Sequence, residues 1–173
     1  MLTANNTDIE ISDGVSTAKD DNSGYSISGS IRLPRSFYAA ASYEDAEVFG
    51  IDFTNYSVGI GAFTSVADSV DLFAELAYVN EEIDTGSASD DDSGAGITLG
   101  VRGLWTSVFE AEARYRYADF GGGSAPMHSF YLSGMYKITP QYGVGLSYRN
   151  DAMEDDGIEF DRDVFGVFAR VTF

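Results

Sequence analysis

The last ten residues of the chain, VFGVFARVTF, alternate between outer apolar positions and a second, mixed set of side chains. A period of two predicts a β-strand with two unlike faces. The same alternation recurs in FEAEARYRY and in YGVGLSY, and no segment has a comparable helical period. The chain is therefore predicted to be all-β. The apolar row of the final strand consists of Phe165, Val167, Ala169, Val171 and Phe173.

Segments of this kind predict nine strands, connected alternately by short turns and by longer polar loops. A short tenth strand at 7–12 would pair with the C-terminal strand and close an antiparallel up-and-down barrel. Ten strands are preferred and eight are the alternative, with residues 1–173 forming a single domain. The nine strands are expected at 25–33, 37–48, 54–65, 70–82, 95–106, 109–120, 128–138, 142–150 and 164–173. The long loops are expected at 13–24, 49–53, 83–94, 121–127 and 151–163.

The polar face of the predicted strands carries most of the basic residues together with acids. Buried charges must be paired, so charges of both signs on one face indicate a lumen. The apolar face has aromatic residues at both ends and aliphatic residues between them, as the two interfaces of a bilayer favour. These features predict a transmembrane β-barrel, and the alternative is a soluble barrel with an apolar cavity. The charged residues assigned to the lumen are Asp8, Glu10, Arg32, Glu44, Glu75, Arg102, Glu110, Glu112, Arg114, Arg116, Lys137, Arg149 and Arg170.

One predicted strand carries two acids followed by two bases on its lumen face, and it neighbours strands with further charges. In a barrel of about eight strands the interior is just wide enough for side chains, so these charges would form a salt-bridged plug. The alternative is a selectivity ring in a narrow pore. The plug is preferred. The expected lumen network comprises Glu75, Arg102, Glu110, Glu112, Arg114, Arg116 and Arg170.

The terminal VFGVFARVTF and the aromatic-x-Gly-x-aliphatic strands such as YGVGLSY resemble small outer-membrane β-barrel proteins of Gram-negative bacteria, the OmpA-like and opacity-protein-like group. The resemblance implies that the row ending in Phe173 is the signal read by the barrel-assembly machinery. It also implies a place in the bacterial outer membrane, with extracellular long loops and periplasmic termini. Residues 1–20 lack the apolar core of a secretory signal, so the chain is expected to be a mature form.

Composition and single residues exclude several other functions. The formal net charge of -18 argues against nucleic acid as a partner, since phosphate binding needs clustered bases. The chain has no cysteine, which excludes disulfides, a thiolate zinc site and a catalytic thiol. His128 lies beside Ser129 and near Asp119, which suggests a hydrolase at the barrel rim. However, adjacent strand residues point to opposite faces, so we expect no enzyme and no cofactor.

The predicted long loops are rich in acids, which could bind calcium through carboxylate oxygens. None has the ligand spacing of an EF-hand, so a solvated acidic rim that bridges to lipopolysaccharide through divalent ions is preferred. The expected function is a structural or surface-interaction role, with outer-membrane lipid, lipopolysaccharide, the assembly machinery and an envelope protein as partners. A narrow channel for ions or small solutes is the alternative. The acids considered for calcium are Asp90, Asp91, Asp92, Glu154, Asp155, Asp156, Glu159, Asp161 and Asp163.

Overall fold

The computed structural model describes residues 1–12, 17–48, 51–84, 89–121, 125–155 and 158–172. Ten antiparallel strands form a closed barrel in which each strand pairs with its neighbours in sequence and the first pairs with the last. The predicted all-β, up-and-down barrel of ten strands is confirmed. The strands are β1 (Leu2–Ser12), β2 (Thr17–Leu33), β3 (Phe37–Val48), β4 (Ile51–Ala67), β5 (Val70–Asp84), β6 (Ser89–Leu104), β7 (Phe109–Asp119), β8 (Met127–Lys137), β9 (Tyr142–Asp155) and β10 (Ile158–Val171).

The strands extend further than the sequence predicted at the end opposite the short turns. The segments 13–24, 83–94 and 151–163 were predicted to be loops, yet β2 begins at Thr17, β9 reaches Asp155 and β10 begins at Ile158. This prediction was wrong because alternation is needed only where one face meets lipid. Beyond the bilayer both faces can meet water, and the backbone ladder alone continues the strand.

The lumen face of β1 also differs from the prediction. Thr3, Asn5 and Thr7 are buried, so the odd-numbered positions of β1 face inward. Glu10 has the opposite parity and pairs with the exposed Asp161 of β10, so its assignment to the lumen was wrong. The side chain of Asp8 lies outside the described residues. The error at Glu10 arose because parity was assigned from apolar alternation at a strand end that lies beyond the apolar band.

The outer surface of the barrel is a band of exposed aliphatic side chains. Tyrosine rings lie together at its outer end, with centroid distances of 6.1 Å for Tyr25–Tyr43 and 6.2 Å for Tyr56–Tyr78. Such a continuous apolar surface faces lipid rather than water, so the soluble alternative is wrong. No helix in the described ranges is long and apolar enough to cross a membrane. Exposed members of the band include Ile27, Ile31, Val58, Ile60, Leu76, Ile97, Leu99, Leu132, Leu146 and Val167.

Glycines on the inner face make room for large neighbouring side chains. The ring of Tyr38 occupies the space where a Cβ of Gly61 would stand, and the ring of Phe168 does the same at Gly145. Gly96 makes room for a charged side chain, since Nε of Arg116 lies 3.0 Å from the place where a Cβ of Gly96 would stand. The barrel interior is thus packed by aromatic rings as well as by charges.

Candidate functional site in the barrel lumen

The strongest feature of the lumen is an ion pair that crosses it. Arg149 of β9 donates through Nη1 and Nη2 to the two carboxylate oxygens of Glu44 on β3, both at 2.6 Å. In the closed barrel, β9 and β3 are separated by β10, β1 and β2, so they lie on nearly opposite walls. A bidentate guanidinium–carboxylate pair is among the stronger charge-assisted contacts. The side chains of Arg149 and Glu44 therefore form a strut across the barrel.

A second arginine and a second acid complete this group. Arg162 of β10 lies directly opposite Asp151 of β9 and donates through Nε at 2.9 Å and Nη2 at 2.7 Å to its Oδ2. Nε of Arg149 donates to the same Oδ2 at 3.0 Å, and Ser129 also hydrogen-bonds this carboxylate. Asp151 is only 1 % exposed and Arg162 only 5 % exposed. Glu44, Arg149, Asp151 and Arg162 form what we call the outer charge cluster.

The outer charge cluster lies at the height of the outer tyrosine ring. Arg149 directly follows Tyr148, whose ring packs on Phe165 at 5.1 Å, and Arg149 pairs with Val164. Glu44 likewise directly follows Tyr43, one of the tyrosines at the outer end of the apolar band. The two bases and two acids of the cluster balance, and each has a partner, as burial requires. Glu81 of β5 also lies close enough to interact electrostatically with Arg149 and Arg162.

A second group of charges lies nearer the short turns. Glu110 accepts a hydrogen bond from Nη2 of Arg170 at 2.6 Å and lies 3.6 Å from Nζ of Lys137. Arg114 lies 3.5 Å from Glu112, and its guanidinium carbon stands 4.0 Å from the ring centroid of Tyr131. We call Glu110, Glu112, Arg114, Lys137 and Arg170 the inner charge cluster. It brings together four residues of the expected network: Glu110, Glu112, Arg114 and Arg170.

The other three expected members lie around this cluster rather than in it. Arg102 pairs in the ladder with Glu112 on one side and Asp71 on the other. Glu75 accepts a hydrogen bond from the hydroxyl of Tyr38. Arg116 is partly buried, its Nε has no hydrogen-bond partner, and no ion pair of this residue is found in the described ranges.

Sequence reasoning missed Asp151 and Arg162 as lumen residues because it placed both in a loop. The signal was available, since the inward parity of β9 runs from Arg149 to Asp151 without a break. On β10 the inward parity runs from Gly166 through Val164 to Arg162. Arg162 is also the only base in an otherwise acidic segment. A base in that setting indicates a partner within the barrel.

The rim histidine has no nucleophile beside it. Nδ1 of His128 is hydrogen-bonded to the hydroxyl of Tyr115, and its ring meets the edge of Tyr117 at 5.4 Å on the outer face. Ser129 points into the lumen, where it is buried against Asp151. Asp119 accepts a hydrogen bond from the backbone N–H of Gly121 at 3.0 Å. These residues form no hydrolytic constellation.

The remaining candidate residues are the acids considered for calcium binding and the apolar row considered as an assembly signal. In the part of the chain that the structure describes, no group of three or more His, Asp or Glu side chains is placed to hold a metal ion. Asp156 lies outside that part, as do the side chains of Asp90 and Asp155. In the final strand, Phe165, Val167, Ala169 and Val171 are exposed on the outer face. Phe173 lies outside the described residues.

Comparison with known proteins concerns the fold alone. No protein-family model matches the chain, and no curated protein matches it by sequence. Solved structures with a similar fold include the CymD monoaromatic hydrocarbon channel (TM-score 0.52, 10 % identity, 95 % of this chain and 56 % of that one) and a Pseudomonas aeruginosa FadL homologue (TM-score 0.51, 10 % identity, 90 % and 54 %). The chain spans about half the length of these proteins. The match to Neisserial surface protein A covers 99 % of this chain and 96 % of that protein at 17 % identity, with a TM-score of 0.44. The chain thus has the fold of the bacterial outer-membrane β-barrels.

Proposed function

We propose that this protein is a non-enzymatic barrel of the bacterial outer membrane whose lumen is closed by the outer charge cluster, and whose acidic strand ends are its working surface. The observation that carries the proposal is the bidentate pair between Arg149 and Glu44 across the lumen. In the proposed orientation the short turns and both termini lie in the periplasm and the outer charge cluster lies at the extracellular mouth.

The closed state is stable because breaking the Arg149–Glu44 pair leaves buried charges without partners. Removing one partner of a buried ion pair costs about 3–5 kcal/mol, although water entering the lumen lowers this. Arg149 also donates to Asp151, so the strut is held at more than one point. A closed state is therefore strongly favoured over one in which the guanidinium swings away.

Ion conductance in planar lipid bilayers tests the closure. Wild-type protein is expected to be nearly silent, whereas the double variant E44Q/D151N should open and conduct, because it removes both carboxylates of the outer charge cluster. The matched control is E47Q/E154Q, which removes two exposed acids from the same strands, β3 and β9. Steady conductance of the wild type, unchanged in E44Q/D151N, would contradict the closed barrel.

A narrow channel for ions or small solutes is the second candidate. It is favoured by the exposure of the inner lumen, where the side chain of Arg114 is 41 % exposed. One of the structures with a similar fold is a monoaromatic hydrocarbon channel. Conductance recordings in planar lipid bilayers distinguish the two candidates, since a channel would conduct as the wild-type protein, without any substitution.

The proposed working surface consists of acids that face one another across the strands beyond the tyrosine ring. Glu47 pairs with Asp52, Asp52 with Asp84, and Glu82 with Asp91, all exposed. We propose that divalent ions bridge this surface to the phosphates of lipopolysaccharide and that a basic envelope protein is a further partner. Binding of lipopolysaccharide that disappears with a chelator and returns with Mg²⁺ supports the bridge. Binding that is unaffected by the chelator contradicts it.

The apolar row of β10 is the proposed contact with the barrel-assembly machinery during insertion. Its described members all face outward, where another protein can reach them in the unfolded or partly folded chain. Deleting Phe173 should then reduce the amount of folded protein in the outer membrane. Unchanged surface display of the deletion variant would remove the support for this role.

A further inference from the structure

Several charged side chains of the lumen become more exposed toward the short turns. In the outer charge cluster the side chains of Asp151 and Arg162 are 1 % and 6 % exposed, although that of Arg149 is 23 % exposed. Toward the short turns, Arg170 is 26 % exposed and Arg114 is 41 % exposed. On the lumen row of β2, Ser30 and Arg32 are exposed as well. We call the part of the lumen between the outer charge cluster and the short turns the inner vestibule.

Two guanidinium groups in the inner vestibule are held by aromatic rings. The guanidinium carbon of Arg32 lies 4.7 Å from the ring centroid of Phe63, and that of Arg114 lies 4.0 Å from the centroid of Tyr131. Stacking uses the flat face of a guanidinium and leaves the N–H groups at its edge free to donate. Those edges have the geometry that matches two oxygens of a carboxylate, phosphate or sulfate.

The carboxylates of the inner vestibule are already engaged. Asp71 accepts a hydrogen bond from Ser65 at 2.6 Å, Glu75 accepts one from Tyr38, and Glu110 is shared by Arg170 and Lys137. Glu112 lies 3.5 Å from Arg114 and opposite Arg102 in the ladder.

The arginines of the inner vestibule have donors to spare. The closest acid to Arg114 is 3.5 Å away, and no ion pair of Arg32 or Arg102 is found in the described ranges. The five lining bases exceed the four acids Asp71, Glu75, Glu110 and Glu112 by one charge, and the exposed Arg32 keeps unused donors. These bases are Arg32, Arg102, Arg114, Lys137 and Arg170.

We infer that the inner vestibule binds a small oxyanion, such as phosphate, sulfate or a carboxylate, which enters from the short-turn end. The inference rests on the proposed closure only for the direction of entry. The guanidinium edges of Arg32 and Arg114 supply the donors, and Arg102, Lys137 and Arg170 add positive potential. A recess with an excess of one sign of charge raises the local concentration of the opposite ion.

The absence of cysteine from the chain allows a direct test. The variant S30C places a single thiol beside Arg32 in the inner vestibule. Its reaction is followed with an anionic and a cationic methanethiosulfonate reagent on folded protein in detergent, each rate divided by that of a small free thiol. The anionic reagent should be favoured by about tenfold or more. Inorganic phosphate should slow its reaction more than chloride does at equal ionic strength.

Substitutions on the S30C background identify the donors. R32Q and R102Q should each reduce the preference for the anionic reagent and the effect of phosphate, because each removes a guanidinium from the vestibule. R35Q is the matched control, since Arg35 lies in the turn that follows β2 and outside the lumen. A thiol at Ser133, on the lumen face of β8, repeats the measurement from a second wall if S30C fails to fold.

Equal normalised rates for the two reagents would overturn the inference, and so would phosphate acting no more strongly than chloride. A loss of preference in R35Q equal to that in R32Q would also overturn it. Failure of the closed barrel is recorded separately, as conductance of the wild type in planar bilayers. A conducting barrel that still prefers the anionic reagent would refute the closure and leave the oxyanion site standing.

Discussion

At the scale of the single residue, one carboxylate oxygen of Asp151 accepts hydrogen bonds from both arginines of the outer charge cluster. This oxygen, Oδ2, accepts from Nε of Arg149 at 3.0 Å and from Arg162 at 2.9 and 2.7 Å. Two cations that converge on one buried oxygen depend on its negative charge, because without it they repel each other in a poorly solvated space. The carboxylate therefore holds β9 and β10 together where their outer ends leave the membrane.

We expect D151N to be destabilised by about 3–5 kcal/mol, since Arg162 would lose the carboxylate that accepts its hydrogen bonds and Arg149 would lose one of its two carboxylate partners. The measurement is the free energy of unfolding in urea with the protein in lipid vesicles. The control is E154Q on the same strand, where an exposed acid is removed and less than about 0.5 kcal/mol is expected. An equal loss in the two variants would show that the lumen contacts of Asp151 contribute nothing special.

A second residue-scale prediction concerns the packing of Phe168 on β9. In G145A the added methyl group would meet the Phe168 ring and the backbone carbonyl of Gly134, so a loss of about 1–3 kcal/mol in unfolding free energy is expected. The matched substitution is G29A, where nothing lies within 4 Å of the new Cβ. Comparable stability of G145A and G29A would mean that the ring of Phe168 moves aside at no cost.

At the scale of the strand, the sequence predicts the part of each strand that lies in the apolar band and fails to predict the part that extends beyond it. β7 and β8 were predicted almost to their termini, because alternation covers nearly all of each strand. β9 was predicted to end at 150 and runs to Asp155, and β10 was predicted to begin at 164 and begins at Ile158. Outside the bilayer the inward residues are Asp151 and Arg162 rather than apolar side chains. Hydrophobic periodicity cannot register such positions, whereas charge pairing across neighbouring strands can.

The outer strand ends of β3 to β6 should be sensitive to salt. Acids that face each other across a ladder repel, and the screening length falls from about 30 Å at 0.01 M salt to about 3 Å at 1 M. Backbone amides around Asp52 and Glu82 should therefore exchange more slowly with solvent at 1 M NaCl. Amides around Leu76, in the lipid-facing part of β5, are the internal reference and should change little. Faster exchange around Asp52 at high salt would contradict the repulsion.

At the scale of the whole molecule, closure between β1 and β10 leaves no free strand edge. Leu2 to Ser12 pair without interruption with Ala169 to Glu159, so every strand has two neighbours. A closed ladder within a lipid or detergent shell cannot fray strand by strand, because each lost pair exposes unsatisfied backbone groups. The molecule should resist denaturation until the whole barrel opens.

Unboiled protein should therefore migrate differently from boiled protein on denaturing detergent gels, and the circular dichroism of the unboiled sample should be that of β-structure. The boiled sample is the unfolded reference on the same gel. Identical migration together with a helical or disordered spectrum would contradict a closed barrel.

The inward rows of the strands also decide how the molecule behaves on an ion exchanger. Its guanidinium and ammonium groups are largely turned toward the axis, as the lumen positions of Arg102, Arg114, Arg116, Lys137, Arg149, Arg162 and Arg170 illustrate, while the acids of the strand ends face outward. The lumen also encloses Glu44, Glu75, Glu110, Glu112 and Asp151, so the hidden bases are largely balanced from within and the exterior that a chromatographic resin meets keeps nearly the whole formal charge of -18. The folded barrel should elute from an anion-exchange column at higher salt than the same chain unfolded in urea, because folding gathers the exterior acids at the strand ends with few bases between them, whereas unfolding mixes acids and bases.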